Sequence, residues 1–63
     1  MLFDYVFKFI AGDNEGEIVL CEEENLQAAL DIMYITYGFN RKELTYYGKI
    51  TVEEGEALGY DTY

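Results

Sequence analysis

The sequence predicts a single α+β domain spanning residues 1–63, with a three-stranded antiparallel sheet (order 2-1-3) and one main helix packed on one face. Three observations lead to this fold class. Residues 2–10 alternate with the period of a strand, residues 26–37 repeat apolar side chains at helical spacing, and residues 43–47 are rich in side chains that favour strands. The first strand is therefore expected in the middle of the sheet.

The first strand has one wholly aromatic face and one mixed face. The aromatic face, predicted to be the core, consists of Phe3, Tyr5, Phe7 and Phe9. Residues 12–16 supply two glycines and residues that tolerate left-handed backbone, which is typical of a hairpin loop. Residues 17–21 then alternate again and predict a second strand, antiparallel to the first.

The main helix is predicted to begin near Glu22 and to end at Gly38. Glu22, Glu23 and Glu24 are placed where the positive end of the helix dipole favours carboxylates. The core stripe recurs at helical offsets and contains Leu26, Ala29, Leu30, Met33, Tyr34 and Tyr37. Ala28, Ile32 and Ile35 form a second apolar flank of the helix. We expect this flank to pack against something other than the sheet.

The C-terminal third begins with a predicted strand over residues 43–47, bent or bulged at Gly48. Thr51 and Glu54 have the spacing of a capping box, which predicts a short C-terminal helix through Leu58 that stops at Gly59. Gly55 inside this segment disfavours a helix, so the sequence leaves both alternatives open.

The charge balance is strongly acidic. Thirteen acids stand against four bases, without histidine, and give a net charge of -9. Such a chain repels DNA, RNA and anionic membranes, so we expect no direct nucleic-acid or membrane partner. The expected partner is a basic protein surface.

The compartment is predicted from cysteine usage and from the absence of targeting patterns. Cys21 is the single cysteine and has no disulfide partner within the chain, which favours a reducing cytoplasm. No signal peptide or membrane-spanning run is found. Because Met1 is followed directly by a strand pattern, the chain is expected to be a complete small gene product.

No arrangement of residues typical of catalysis or cofactor binding is present. Without histidine, a Cys-His nucleophile is excluded, and the acids fall mostly in predicted loops and helix starts rather than in a cleft. We therefore expect neither an enzyme nor a cofactor. Asp13, Glu15 and Glu17 alternate like the start of a calcium loop, but no glycine follows at the sixth position, so a solvated hairpin loop is favoured.

Two features predict a binding surface instead. Beyond the hairpin loop, acids cluster near the start of the main helix and near the C-terminus, and Tyr46 and Tyr47 point to opposite faces of one strand, so at least one should be exposed. The alternative interpretation is that the acids only solubilise an aromatic domain and the tyrosines only pack at the sheet margin. The predicted partner-binding residues are Glu22, Glu23, Glu24, Asp31, Glu53, Glu54, Glu56, Tyr46 and Tyr47.

In size, charge and element pattern, the whole chain resembles the small phage-encoded anti-CRISPR inhibitor proteins. The resemblance rests on the acid runs at residues 22–24 and 53–56 and on the tyrosine content. Those inhibitors share no common motif, so no site residue is carried over. The resemblance implies a stoichiometric protein in the host cytoplasm that occupies a basic surface of a CRISPR effector or another nucleic-acid-binding complex.

The leading hypothesis is thus a noncatalytic acidic inhibitor that acts by nucleic-acid mimicry or steric occlusion. The alternative is a small homo-oligomeric structural or adaptor module of phage or bacterial origin. It is motivated by the apolar flank at Ala28, Ile32 and Ile35 and by the apolar side chains expected on the mixed sheet face, which are Val6, Ile10 and Val19. The expected dimer contact is at Val6 and Ile10. A calcium-dependent module is a third, weaker hypothesis.

Overall fold

The first strand is the centre of a four-stranded sheet with one helical layer on each face. The computed structural model describes all 63 residues. The elements are β1 (Phe3–Phe9), β2 (Ile18–Glu23), α1 (Leu26–Asp31), a π-helical turn (Ile32–Thr36), β3 (Leu44–Thr51), α2 (Val52–Leu58) and β4 (Asp61–Thr62). The strand order is β3-β1-β2-β4, with β1 antiparallel to both β2 and β3 and with β4 parallel to β2.

The predicted three-stranded antiparallel sheet is therefore wrong, because the C-terminal residues add a fourth, parallel strand. The Tyr63 N–H donates to the Leu20 carbonyl at 2.7 Å, and the Glu22 N–H donates to the Tyr63 carbonyl at 3.3 Å. These bonds pair backbone groups of β2 that a three-stranded sheet leaves free. Because β4 has only two residues, its sequence shows no alternation that would have predicted it.

The main core lies between the sheet and α1, on what we call the α1 face. Tyr5, Phe7 and Phe9 of β1 are buried there, so the predicted aromatic core face is confirmed. The rest of the core consists of Val19, Cys21, Ala29, Met33 and Leu44. The Phe7 and Tyr34 rings meet edge to face with centroids 6.1 Å apart, a favoured aromatic geometry.

The predicted start of the main helix is wrong. Glu22 and Glu23 are the last residues of β2, and α1 begins only at Leu26, with no acid in its first turn. The N-terminal cap is Asn25, whose Oδ1 accepts from the Ala28 N–H at 2.8 Å. The side chain of Asn25, rather than the carboxylates of residues 22–24, therefore stabilises the start of the helix. After Asp31 the helix widens into the π-helical turn, where the Tyr37 N–H donates to the Ile32 carbonyl at 2.9 Å.

The C-terminal helix is present as α2 and covers the opposite face of the sheet, which we call the α2 face. Thr51 and Glu54 form the capping box, and Gly59 ends the helix with a φ of 74°. Since Gly55 is buried against the sheet, its cost in helix propensity is offset by close packing. Neither helix has the length and apolar character that crossing a lipid bilayer requires.

Candidate functional site

The contact between α2 and the sheet depends on the missing side chain of Gly55. A Cβ atom at this position would lie 1.8 Å from Asp4 Oδ2 and 3.1 Å from Leu20 Cδ1. Real Cβ atoms do not approach oxygen so closely, so only glycine fits without a shift of the neighbouring groups. The absence of a side chain at Gly55 thus brings the helix backbone down onto the carboxylate of Asp4.

Asp4 is a buried carboxylate without a hydrogen-bond partner at one of its oxygens. It is 2% exposed, and its Oδ1 accepts no hydrogen bond. Glu22 is its cross-strand partner on β2, and Glu56 follows Gly55 on α2. Burial raises the pKa of the Asp4 carboxyl above its ordinary value, and the carboxylates of Glu22 and Glu56 raise it further. We call Asp4, Glu22 and Glu56 the acidic trio.

Other predicted acids do not join this trio. Glu23 alternates with Glu22 and lies toward the α1 face, opposite Phe3 on β1. Glu24 is exposed in the bend before α1. Asp31 is exposed at the end of α1 and accepts a hydrogen bond from Gln27 Nε2 at 2.9 Å. The predicted acids are therefore distributed over both layers of the molecule.

Two further acids lie in the first turn of α2. Glu53 and Glu54 are exposed there, near the positive end of the helix dipole. Glu54 completes the capping box, since its Oε1 accepts from both the N–H and the hydroxyl of Thr51 at 3.0 Å. These bonds hold the pKa of Glu54 below its ordinary value, so it carries its charge into mildly acidic conditions.

The two predicted tyrosines point in opposite directions, as their position on one strand requires. Tyr46 is half-buried on the α1 face, with its ring centroid 5.8 Å from that of Phe7. Tyr47 is 65% exposed. The register of β3 against β1 shifts here, because Val6 pairs with Gly48 and Phe7 with Tyr46, which leaves Tyr47 as the extra residue of a β-bulge. The expectation that at least one of the two tyrosines is exposed is confirmed.

Three of the four basic side chains lie over aromatic rings. Lys8 Nζ is 5.4 Å from the ring centroid of Tyr47, and Lys49 Nζ is 4.3 Å from that of Phe3. The Arg41 guanidinium is 4.4 Å from the ring centroid of Tyr34. These are cation–π distances. None of the charged groups that shift the pKa of Asp4 is a cation.

An apolar groove opens on the α2 face beside the trio. It has a volume of about 340 Å³ and is lined mainly by aliphatic and tyrosine side chains. Leu20 connects the two features, because it lines the groove and also lies against Gly55. Among the side chains that line it are Val6, Ile18, Tyr47, Ile50, Leu58 and Tyr60.

The two residues of the expected dimer contact differ in exposure. Val6 lines the groove and is half-buried, while Ile10 is exposed beyond the end of β1. On the other layer, Ala28 and Ile32 are half-buried and Ile35 is 69% exposed. The apolar flank of the helix is thus open mainly at Ile35.

Cys21 is fully buried on the α1 face, and desolvation raises the pKa of its thiol to about 11. The nearby carboxylates of Glu23 and Asp4 add to this shift. Because the thiolate is the reactive form and burial disfavours it, this cysteine behaves as a small core residue.

No three aspartate, glutamate or cysteine side chains are arranged to hold a metal ion, and this includes the loop acids Asp13, Glu15 and Glu17.

Comparisons with family models, with curated proteins and with solved structures gave no match for this chain. Asp4 was not among the predicted site residues. The available sign was that Asp4 is the only acid in a strand whose other side chains, apart from Lys8, are apolar. Its burial depends on α2, however, and the sequence left the formation of α2 open.

Proposed function

We propose that this protein is a noncatalytic acidic inhibitor that binds a lysine- and arginine-rich surface of a nucleic-acid-handling protein and blocks it. We further propose that it acts in the cytoplasm, in the manner of the anti-CRISPR proteins that it resembles. The single observation that carries the proposal is the distribution of charge. The chain has a net charge of -9, while three of its four cations lie over aromatic rings.

This distribution supports binding to a basic partner for an electrostatic reason. Surface carboxylates that are not neutralised within their own chain attract cationic surfaces, speed encounter and repel wrong partners. A DNA strand presents a charge about every 3.4 Å along its axis, and a basic groove built for that spacing also accepts a ridge of carboxylates. The exposed or half-exposed acids of β2 and α2 are held on regular elements, which favours such mimicry.

The proposal is tested by competition against nucleic acid. Purified CRISPR effector complexes are mixed with labelled target DNA, and the protein is added at equimolar concentration in a mobility-shift assay. We expect loss of DNA binding by at least one effector. We also expect the affinity of the protein for that effector to fall about tenfold or more when the salt concentration rises from about 50 to 200 mM.

A charge variant and a neutral control complete the test. Replacing Glu22, Glu53 and Glu56 together by Gln should weaken inhibition about tenfold or more, because each removes an exposed or half-exposed charge from β2 or α2. Replacing exposed Asn14 by Ala should leave inhibition unchanged. The proposal fails if none of the effectors is inhibited, or if binding is the same at both salt concentrations.

A homo-oligomeric module is the second candidate, and the apolar groove on the α2 face favours it together with exposed Ile35. Exposed apolar surface of this kind is common at interfaces between protein chains. Light scattering at millimolar concentration separates the two candidates. A dimer that dissociates when Ile35 or Leu58 is replaced by Asp supports the module, and a strict monomer removes it.

A further inference from the structure

The acidic trio lacks the positive charge that three neighbouring carboxylates need. Asp4 is 2% exposed, Gly55 of α2 lies against its Oδ2, and its Oδ1 is buried without a hydrogen-bond partner. A buried carboxylate normally accepts several hydrogen bonds or pairs with a cation. Here the neighbouring charged groups that affect it, on β2 and on α2, are themselves carboxylates. The arrangement is unfavourable in the free protein.

A cation bound between Glu22 and Glu56 would remove most of this cost. Glu22 is half-buried on β2 as the cross-strand partner of Asp4, and Glu56 is exposed on α2 next to Gly55, which lies against the Asp4 carboxylate. Opposite charge at that point stabilises all three carboxylates at once, and the low local polarity around Asp4 strengthens the attraction.

The chemistry of the trio favours a side-chain cation over a metal ion. A divalent metal needs oxygen ligands that converge at short distances, and no such group exists in the molecule. A lysine or arginine side chain has no such requirement, because its long stem lets the charged end reach carboxylates that diverge. An arginine also donates from several N–H groups and so contacts two carboxylates at once.

We propose that Glu22 and Glu56, above the buried Asp4, bind one lysine or arginine side chain of the partner protein. This inference rests on the proposed function and deepens it, since it assigns the position where a basic side chain is bound most tightly. The remaining acids then contribute through the overall field of the protein, and the trio fixes the register of the complex.

The test uses a blocked hexa-arginine peptide as the probe and the intact protein. Binding is measured by calorimetry at low salt, and the carboxyl carbon of Asp4 is titrated by NMR with and without saturating peptide. We expect the peptide to lower the pKa of Asp4, because a bound cation favours its charged form. Glu22→Gln and Glu56→Gln should each weaken binding about tenfold, the equivalent of one charged hydrogen bond.

Two exposed loop acids provide matched controls. Glu15→Gln and Glu17→Gln remove the same charge from the hairpin loop and should each weaken binding less than about twofold. If all four variants lose affinity equally and the pKa of Asp4 does not move, the trio is not the site, although the acidic surface still binds basic chains. If the peptide does not bind at low salt, both the inference and the proposed function are contradicted.

Discussion

Replacement of Gly55 by Ala tests the contact on which the trio depends. In an ordinary helix interior this change stabilises a protein by about 0.5–1 kcal/mol, because alanine loses less conformational freedom on folding than glycine. Here the added methyl group would lie 1.8 Å from Asp4 Oδ2 and 2.9 Å from its Cγ. Asp4 is a short side chain that is only 2% exposed, so we expect α2 to lift from the sheet.

The expected magnitude follows from these opposing terms. Forcing an additional carbon into a packed contact costs about 1–3 kcal/mol, and the gain in helix propensity offsets part of it. We therefore expect Gly55→Ala to lower the free energy of unfolding by about 0.5–2 kcal/mol. Ala57→Gly is the matched control, because Ala57 is exposed on the same helix, and it should cost about 1 kcal/mol from helix propensity alone.

The assay is urea unfolding of a double-mutant cycle with Asp4→Ala. Removing the carboxylate removes the contact at 1.8 Å, so Gly55→Ala should become neutral or stabilising in that background. The coupling between the two positions should amount to about 1–2 kcal/mol. If Gly55→Ala stabilises the wild-type protein by its full helix propensity, or if the two changes are additive, α2 does not pack on Asp4 and the trio is not formed.

Two further substitutions and one labelling experiment test separate parts of the molecule. Because the pKa of Asp4 is raised in the folded state, the wild-type protein loses stability as the pH rises through that pKa. Asp4→Asn should therefore raise the free energy of unfolding near neutral pH and change it little in acid. Urea unfolding at each pH measures this difference. Tyr63→Ala removes edge-to-face contacts with Tyr37 and Phe39; it should cost about 1–2 kcal/mol, and hydrogen exchange at the Glu22 amide should accelerate. Cys21 should react with Ellman's reagent far more slowly in the native protein than in urea, because burial disfavours its thiolate; equal rates would contradict its placement.

The parts of the fold that were predictable are those with strong local periodicity. The alternation of residues 2–10 identified both the strand and its buried face, and Tyr5, Phe7 and Phe9 are indeed core residues. The capping box marked where α2 would begin if it formed, although Gly55 left its formation open, and Thr51 and Glu54 do bond reciprocally. In each case, the pattern that predicts the element lies within a few residues that are close in the sequence.

The parts that were not predictable depend on residues far apart in the chain. Nothing near Asp61 or Thr62 indicates a strand, because β4 exists only where the edge of β2 is available to pair with it. Glu22 and Glu23 favour a helix start by local criteria, yet pairing with β1 draws them into β2. The sequence predicted that these acids lie at the start of α1. Because Glu22 instead pairs with β1, it lies next to Asp4.

The same dependence explains why the trio was hidden in the sequence. Asp4, Glu22 and Glu56 come from three elements, and they meet because Gly55 lets α2 approach β1 closely. Their repulsion weakens the hold of α2 on the sheet in the free protein, and any cation bound at the trio strengthens it. Binding and the stability of α2 are therefore linked, and a ligand that binds the trio only in the folded state raises the free energy of unfolding by an amount that grows with the logarithm of its affinity. A basic partner that bound only remote acids would also raise the global free energy of unfolding, but it would leave the repulsion around Asp4 and the local opening of α2 unchanged.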